Sequence, residues 1–272
     1  MKKLMIAAAF LLSGAASATD MSVEWAVNEN PWRTAEEKVR DADRHPAETL
    51  AFFGVTPSST VAEVNPGGGW YSRILAPLVK EKGRYVGLEH NPAVYADAGN
   101  YAAGLAKYPE KFAAAKDMYG DKAVAGFIPL RGEAVTAPGS VDVVMVVRAM
   151  HNWARRGFME EALKDVHGLL KSGGVLAVVQ HRAAEDAAGD WQETTKQGRW
   201  KQSELVKVIE SHGFKLEAAS EINANPRDKN EYPAGVWALP PNYNGADTDE
   251  EKAARDAIGE SDRMTLKFVK VG

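Results

Sequence analysis

Short apolar runs alternate with segments of helical spacing along most of this chain, and that alternation predicts its elements. Thr60 to Val64 is β-branched with a single charge, as expected of a strand buried on both faces. Similar runs recur at Gly83 to Glu89, Phe127 to Arg131, Val141 to Val147, Val175 to Gln180, Phe214 to Ile222 and Arg263 to Val271, so seven strands are expected. Between them, Trp70 to Lys82 places Ile74, Leu75, Leu78 and Val79 at helical spacing, and Arg156 to Leu170 does the same with Phe158, Leu163, Val166 and Leu169. The Ala-rich stretch Ala93 to Met118 reads as helix with a break near Tyr108-Pro109. Trp200 to His212 reads as a helix capped by Ser203 and stopped by Gly213.

Two helices are expected before the first strand, Thr34 to Asp43 and a second that starts at His45-Pro46, with proline in its first turn, runs Ala47 to Phe53 and ends at Gly54. Such leading helices usually pack beside a ligand cleft or cover it, so Arg40, Arg44 and His45 could reach a substrate, but solvated surface is the favoured reading because charged residues are mostly exposed. Near the other end, Asn223 to Asp262 is rich in Pro, Asn and Gly and is broken by one helix, Thr248 to Ile258, whose Thr248-x-x-Glu251 start fits a capping box. So long an insertion suggests a substrate lid. Strands alternating with helices imply a parallel sheet with helices on both faces. The last two strands lack an ordinary crossover helix, so the seventh is expected to run antiparallel.

Composition narrows the setting. Lys2 and Lys3, the apolar run Leu4 to Leu12 and Ala16-Ser17-Ala18 have the form of a cleaved signal peptide over residues 1–18, too short in its apolar part to span a bilayer. Residues 19–272 then form one domain that is exported, with a periplasm as the expected location and no stable membrane anchor after cleavage. The chain has no cysteine, which excludes thiol catalysis, disulfides and cysteine-held metal or iron–sulfur centres. Without Lys2 and Lys3 it carries 31 Lys and Arg against 37 Asp and Glu, a net charge of −6. With no long basic run either, no nucleic-acid partner is expected.

The chemistry centres on the turn after the first strand. Glu63 sits near the carboxyl end of that strand, and Asn65-Pro66-Gly67-Gly68-Gly69-Trp70-Tyr71 turns into a helix. Glycines in such a turn let a ligand approach the main chain. Glu89 ends the second strand about 20 residues on, where an acid meets a ribose hydroxyl pair in such folds. A dinucleotide fingerprint would need a third glycine where Ser72 stands, and no G-K-[ST], G-x-S-x-G or H-E-x-x-H is present. These residues suit a nucleoside without a pyrophosphate and speak against a nicotinamide oxidoreductase.

At these residues the chain resembles the class I S-adenosylmethionine-dependent methyltransferases, and its Asn-Pro-Gly-Gly-Gly-Trp-Tyr turn with a leader is similar to a group of exported predicted members. The resemblance implies a Rossmann-like α/β fold with a seven-stranded, mostly parallel sheet, its last strand antiparallel. It also implies S-adenosylmethionine as cofactor and methyl transfer to a small-molecule acceptor. Glu63 matches the family's motif acid, Gly67 and Gly69 its second and third glycines, and Asn65 replaces the first. Glu89 matches the ribose-binding acid, and Glu133 the residue that usually holds the adenine amino group.

Chemistry is expected at the carboxyl ends of the strands. Arg148, His151, Asn152 and Trp153 gather after the fourth, and His181 ends the fifth. His151 is the candidate general base and Arg148 a holder of an anionic substrate; Asn152, Trp153 and His181 are candidate substrate contacts. His90 would lie on the cofactor side, so His90, His151 and His181 are not expected to form a metal site. The alternative function is a non-catalytic exported binding protein that keeps the fold for another small molecule.

Overall fold

The computed structural model describes residues 21–272; the expected signal peptide lies outside them. Four short helices lead in: α1 (Val23–Asn28), α2 (Ala35–Val39), α3 (Asp41–Arg44) and α4 (Pro46–Phe53). The single helix expected over 34–43 is thus broken at Arg40, although Thr34 caps it with a reciprocal Glu37 bond. Strand β1 (Thr60–Val64) follows, then α5 (Ser72–Val79) and β2 (Arg84–His90). The Ala-rich stretch is four pieces: a 3-10 segment Pro92–Ala98, then α6 (Asn100–Ala106), α7 (Tyr108–Ala114) and α8 (Lys116–Tyr119). Strand β3 (Val124–Ile128) begins three residues before the expected one, and β4 (Val141–Val147) matches it. Next come α9 (Met150–Arg155), a helix the sequence reading placed in the strand's tail, and α10 (Met159–Leu169).

Strand β5 (Leu170–Ala183) is longer than expected at both ends. It leads through the single turn α11 (Trp191–Thr194) to the two-residue β6 (Trp200–Lys201) and to α12 (Gln202–Glu210). Ser203 does not cap α12. The Glu185 carboxylate takes that place, accepting from the Ser203 N–H at 3.0 Å and its hydroxyl at 2.6 Å. Negative charge at a helix N-terminus is favourable. Strand β7 (Phe214–Ser220), helix α13 (Asp249–Ile258) with the expected Thr248–Glu251 capping box, and β8 (Arg263–Lys270) complete the chain.

The strand order is β3-β2-β1-β4-β5-β8-β7, with β6 paired to β5 off that path. Strands β1 to β5 pair in parallel, while β8 lies antiparallel between β5 and β7. The fold is therefore the expected mostly parallel sheet with its last strand reversed; the short β6 brings the strands to eight. Alternation builds both layers. Val144 and Val146 of β4 pack into the cluster with Trp153, Val166 and Phe268, while Val143 and Met145 face Ile74, Leu78 and Tyr119 on the other side. With a side-chain period of two, each central strand supplies both cores.

Candidate active site

Strand β1 delivers the chain into a turn that most residues would not tolerate. Asn65 has φ 54°, Gly67 54° and Gly69 77°, all in the left-handed region where only glycine is unstrained and Asn is among the better substitutes. The Asn65 N–H donates to the Leu88 carbonyl at 2.7 Å, and the Gly69 N–H to that of Pro66 at 2.8 Å. Gly67 and Gly68 are exposed, and a Cβ added to either would meet no side chain. The main chain here is open to a ligand.

Two acids brace this turn. Glu89, at the end of β2, accepts from the Gly67 N–H at 3.3 Å with one oxygen and from the His90 N–H at 2.8 Å with the other; burial raises its pKa. Glu63 points beneath the turn. One of its oxygens accepts from the Ser72 hydroxyl at 2.7 Å and the Tyr85 hydroxyl at 2.6 Å, tying β1 to α5 and β2. Burial raises its pKa to about 7, with both hydroxyls pulling the other way. Glu63 thus acts on the shape of the turn from inside the core.

In front of the turn opens a cleft of about 380 Å³, within the range of small-molecule sites. Asn65, Pro66, Gly67 and Gly68 form one wall, and Arg148, His151, Asn152 and His181 belong to the strand ends. Val236, Trp237, Pro240, Pro241 and Asn242 close it from the 223–262 insertion. Part of that segment is therefore a wall of the site. Arg148 directly follows β4 with φ 55°, its N–H held by the Val179 carbonyl at 2.7 Å. Non-glycine residues in this conformation are strained and concentrate at functional sites.

His151 is buried, with its ring 5.6 Å from His181 and 5.8 Å from Trp237. Burial, with Arg155 second, lowers its pKa to about 3, so it is neutral near pH 7. The Gln180 amide nitrogen lies 3.3 Å from His151 Nδ1 and 3.1 Å from the Gly198 carbonyl. The carbonyl can only accept, so this amide nitrogen is the donor to both, and Nδ1 accepts. The proton of the neutral ring then sits on Nε2. The geometry makes His151 a hydrogen-bond donor rather than a waiting base. His181 shares a 2.6 Å hydrogen bond with Ser261, and burial holds its pKa well below the usual value.

Five expected site residues do not line this cleft: Glu63, Gly69 and Glu89 are buried at the turn, and Trp153 and Glu133 lie farther off. Trp153 is fully buried in the core cluster beneath α9. Glu133 is exposed in a separate hollow with Lys164 and Asp165 of α10, because the loop after β3 folds back there through the Leu130 N–H bond to Asp165 at 2.6 Å.

Arg40 and Arg44 are not the solvated surface favoured from sequence; both line the cleft. Arg44 is 3% exposed. It and Arg40 converge on Glu260, at 3.0 Å and 2.7 Å, and Arg263 joins them at 2.9 Å. Arg148 approaches the same carboxylate at 3.6 Å. Burial alone would raise the pKa of Glu260, but Arg263, Arg44, Arg148 and Arg40 together hold it at about 2. Burial lowers Arg44, and burial with the Arg44 charge lowers Arg148 to about 9. Arg44 also lies over the Trp70 ring, 4.6 Å from its centroid. Nothing local in the sequence joins Arg40 and Arg44 to a glutamate more than 200 positions away; only the placement of α3 against the start of β8 does.

No protein-family model and no characterised sequence matches the chain. Solved structures do match in fold. A candidate methyltransferase of Haloferax volcanii, solved with its methyltransferase activator, superposes with TM-score 0.51 at 19% identity, over 94% of this chain and 100% of that one. The cyclase SpnF superposes with TM-score 0.52 at 15% identity, over 90% and 86%. A candidate methyltransferase of Bacillus halodurans gives 0.50 at 18% identity, over 83% and 98%. At these identities the likeness is one of fold, the Rossmann-like architecture that the sequence implies.

Proposed function

We propose that the protein is an S-adenosylmethionine-dependent methyltransferase acting on a small-molecule acceptor outside the cytoplasm. The observation that carries this reading is the pairing of Glu89 with the Gly67 N–H under a glycine turn open to the cleft. The fit is good on that side. The exposed Gly67 and Gly68 backbone admits close approach, and each Glu89 oxygen keeps a lone pair for a ribose hydroxyl beyond its one bond to the main chain. It does not extend to Glu133, which lies in another hollow, so the adenine amino group would be met otherwise. Asn65, Gly67 and Gly68 would meet the cofactor from the cleft wall, with Glu89 behind Gly67 and Glu63 shaping the turn from below. The bound group supplies a methyl on sulfonium; the chain supplies position. Solved proteins of this fold include candidate methyltransferases, which supports the reading.

His151, a neutral donor, would orient the acceptor through Nε2–H, and positioning alone carries much of such a displacement. Insertion residues Val236 to Asn242 would limit water at the cleft. A second reading, a non-catalytic binding protein with the same fold, is favoured by one observation: no base is poised at His151, whose Nδ1 is already engaged.

Calorimetric titration of the chain from Thr19 with S-adenosylmethionine tests the proposal. Micromolar binding is expected, weakened at least about tenfold in Glu89→Ala through loss of a charged hydrogen-bond partner. A folded protein that shows no binding refutes it. Export is checked on the protein made in cells: an amino terminus at Thr19 supports it, and an intact Met1 refutes it.

A further inference from the structure

The side of the cleft away from Glu89 holds a concentration of positive charge that the cofactor reading does not use. Arg40, Arg44, Arg148 and Arg263 face one carboxylate, Glu260, leaving an excess of three positive charges. The other acid on the cleft wall, Glu37, is taken by Arg73, whose Nε donates to it at 2.7 Å. The Nη2 of Arg44 and the Nε of Arg263 have no partner, although the two side chains are 3% exposed each. Arg44 itself lines the cleft. A buried donor left unpaired costs free energy, and buried like charges repel. A fold that needed only an internal ion pair would be satisfied by one arginine on Glu260.

Position separates this cluster from the cofactor half. Glu89 ends β2, whereas Glu260 and Arg263 stand at the start of β8, and β1, β4 and β5 intervene. At about 4.8 Å per strand, the two acids are roughly 19 Å apart across the sheet. The open backbone of Gly67 and Gly68 lies on the β1 side between them. Around the cluster the cleft is lined by His151, Asn152, Trp237 and Ser261, the last with its hydroxyl shared with His181.

We infer that Arg40, Arg44 and Arg148, backed by Arg263, bind the oxyanion group of a small acid, a carboxylate or phosphate monoester, which is the methyl acceptor. Glu260 gathers the four guanidinium groups, and Arg40, Arg44 and Arg148 among them line the cleft. Guanidinium forks match the paired oxygens of either anion. The inference rests on the methyltransferase reading for the word acceptor, but the oxyanion site stands on the cluster alone.

Calorimetry with inorganic phosphate, and separately with succinate, before and after saturation with S-adenosylhomocysteine, tests it. The wild-type chain is expected to bind at least one of the two probes, and whichever binds identifies the headgroup. Binding should persist with S-adenosylhomocysteine present. It should fall at least about tenfold in Arg148→Met and recover partly in Arg148→Lys, as expected for a charged hydrogen bond. Arg148 is the test position because it is the most exposed of the four and the farthest from Glu260, so the variant should fold. Unchanged binding in folded Arg148→Met, or no binding of either probe by wild type, overturns the site. Probes displaced by S-adenosylhomocysteine overturn the acceptor assignment, since the arginines would then serve the cofactor's own carboxylate. Binding of a probe by a protein that ignores S-adenosylhomocysteine upholds the oxyanion site and refutes the methyltransferase reading.

Discussion

Glu63 shows how a motif acid can shape a turn from inside the core. Its carboxyl is buried between β1 and α5, and it holds the Ser72 and Tyr85 hydroxyls. Its pKa stands at about 7 in the folded chain against 4.5 ordinarily, so between those values the native state binds the extra proton. Its contribution is complete below about pH 4.5 and is lost as pH rises through 7, a change of at most about 3 kcal/mol. In Glu63→Gln, thermal unfolding followed from pH 4.5 to 7.5 should lose that downward slope. A variant with the wild-type slope would place the titration elsewhere. The sequence marked Glu63 as a cofactor residue because motif position tells which residue matters. Only the neighbouring hydroxyls tell that it works from below.

The glycines of the elements divide by what surrounds them. Gly67 and Gly68 face open space, but Gly87 in the middle of β2 is packed: a Cβ there would be driven into the Tyr108 hydroxyl and against the Tyr85 ring. That hydroxyl is buried without a hydrogen-bond partner. Gly87→Ala should therefore cost about 1–3 kcal/mol by overpacking. Tyr108→Phe should be close to neutral, since it removes an unsatisfied group, and the double variant should regain part of the loss. Chemical denaturation of the three variants measures this, and purely additive costs would show that the two positions do not meet.

Such contacts mark the limit of what elements reveal in sequence. The strands β1, β4 and β8 were legible because alternation and β-branching fix a buried strand locally. The break of the first long helix at Arg40 and the separate α9 were not. Polar periodicity continues through the first, and the Met150–Arg155 turn follows β4 with no side-chain cap to announce it. The glycine turn and Glu89 were readable from spacing. Trp153 was not: a tryptophan beside a catalytic-looking run gives no sign of which face its helix buries.

At the scale of the whole molecule, Glu260 joins the two ends of the chain. Arg40 and Arg44 reach it from α2–α3 across more than 200 positions, while Arg263 and Arg148 reach it from β8 and β4. Asn223 adds a second tie, donating to Thr49 of α4 at 3.0 Å and to Thr265 of β8 at 2.9 Å. The leading helices are short, from four to eight residues, and isolated helices of that length are not stable in water. Their order must come from such contacts and from the packing of Ala26, Val27, Leu50 and Phe53. Removing one partner from a buried ionic cluster costs about 3–5 kcal/mol, because the remaining charges stay buried without compensation. Glu260→Gln should lower stability by that order and expose the segment before β1 to protease ahead of the sheet. Adding Arg148→Met should restore part of the loss by removing one of the uncompensated cations. The pH dependence has the opposite sign to that of Glu63. Glu260 titrates near 2 when folded and near 4.5 when unfolded, so its contribution is full above 4.5 and disappears as pH falls towards 2. Acid unfolding monitored at the amino-terminal helices should therefore start below pH 4.5 in the wild type and be blunted in Glu260→Gln. Equal protease sensitivity of wild type and Glu260→Gln would mean that hydrophobic packing alone holds the amino-terminal wall of the cleft, and that the arginines are gathered for a ligand rather than for the fold.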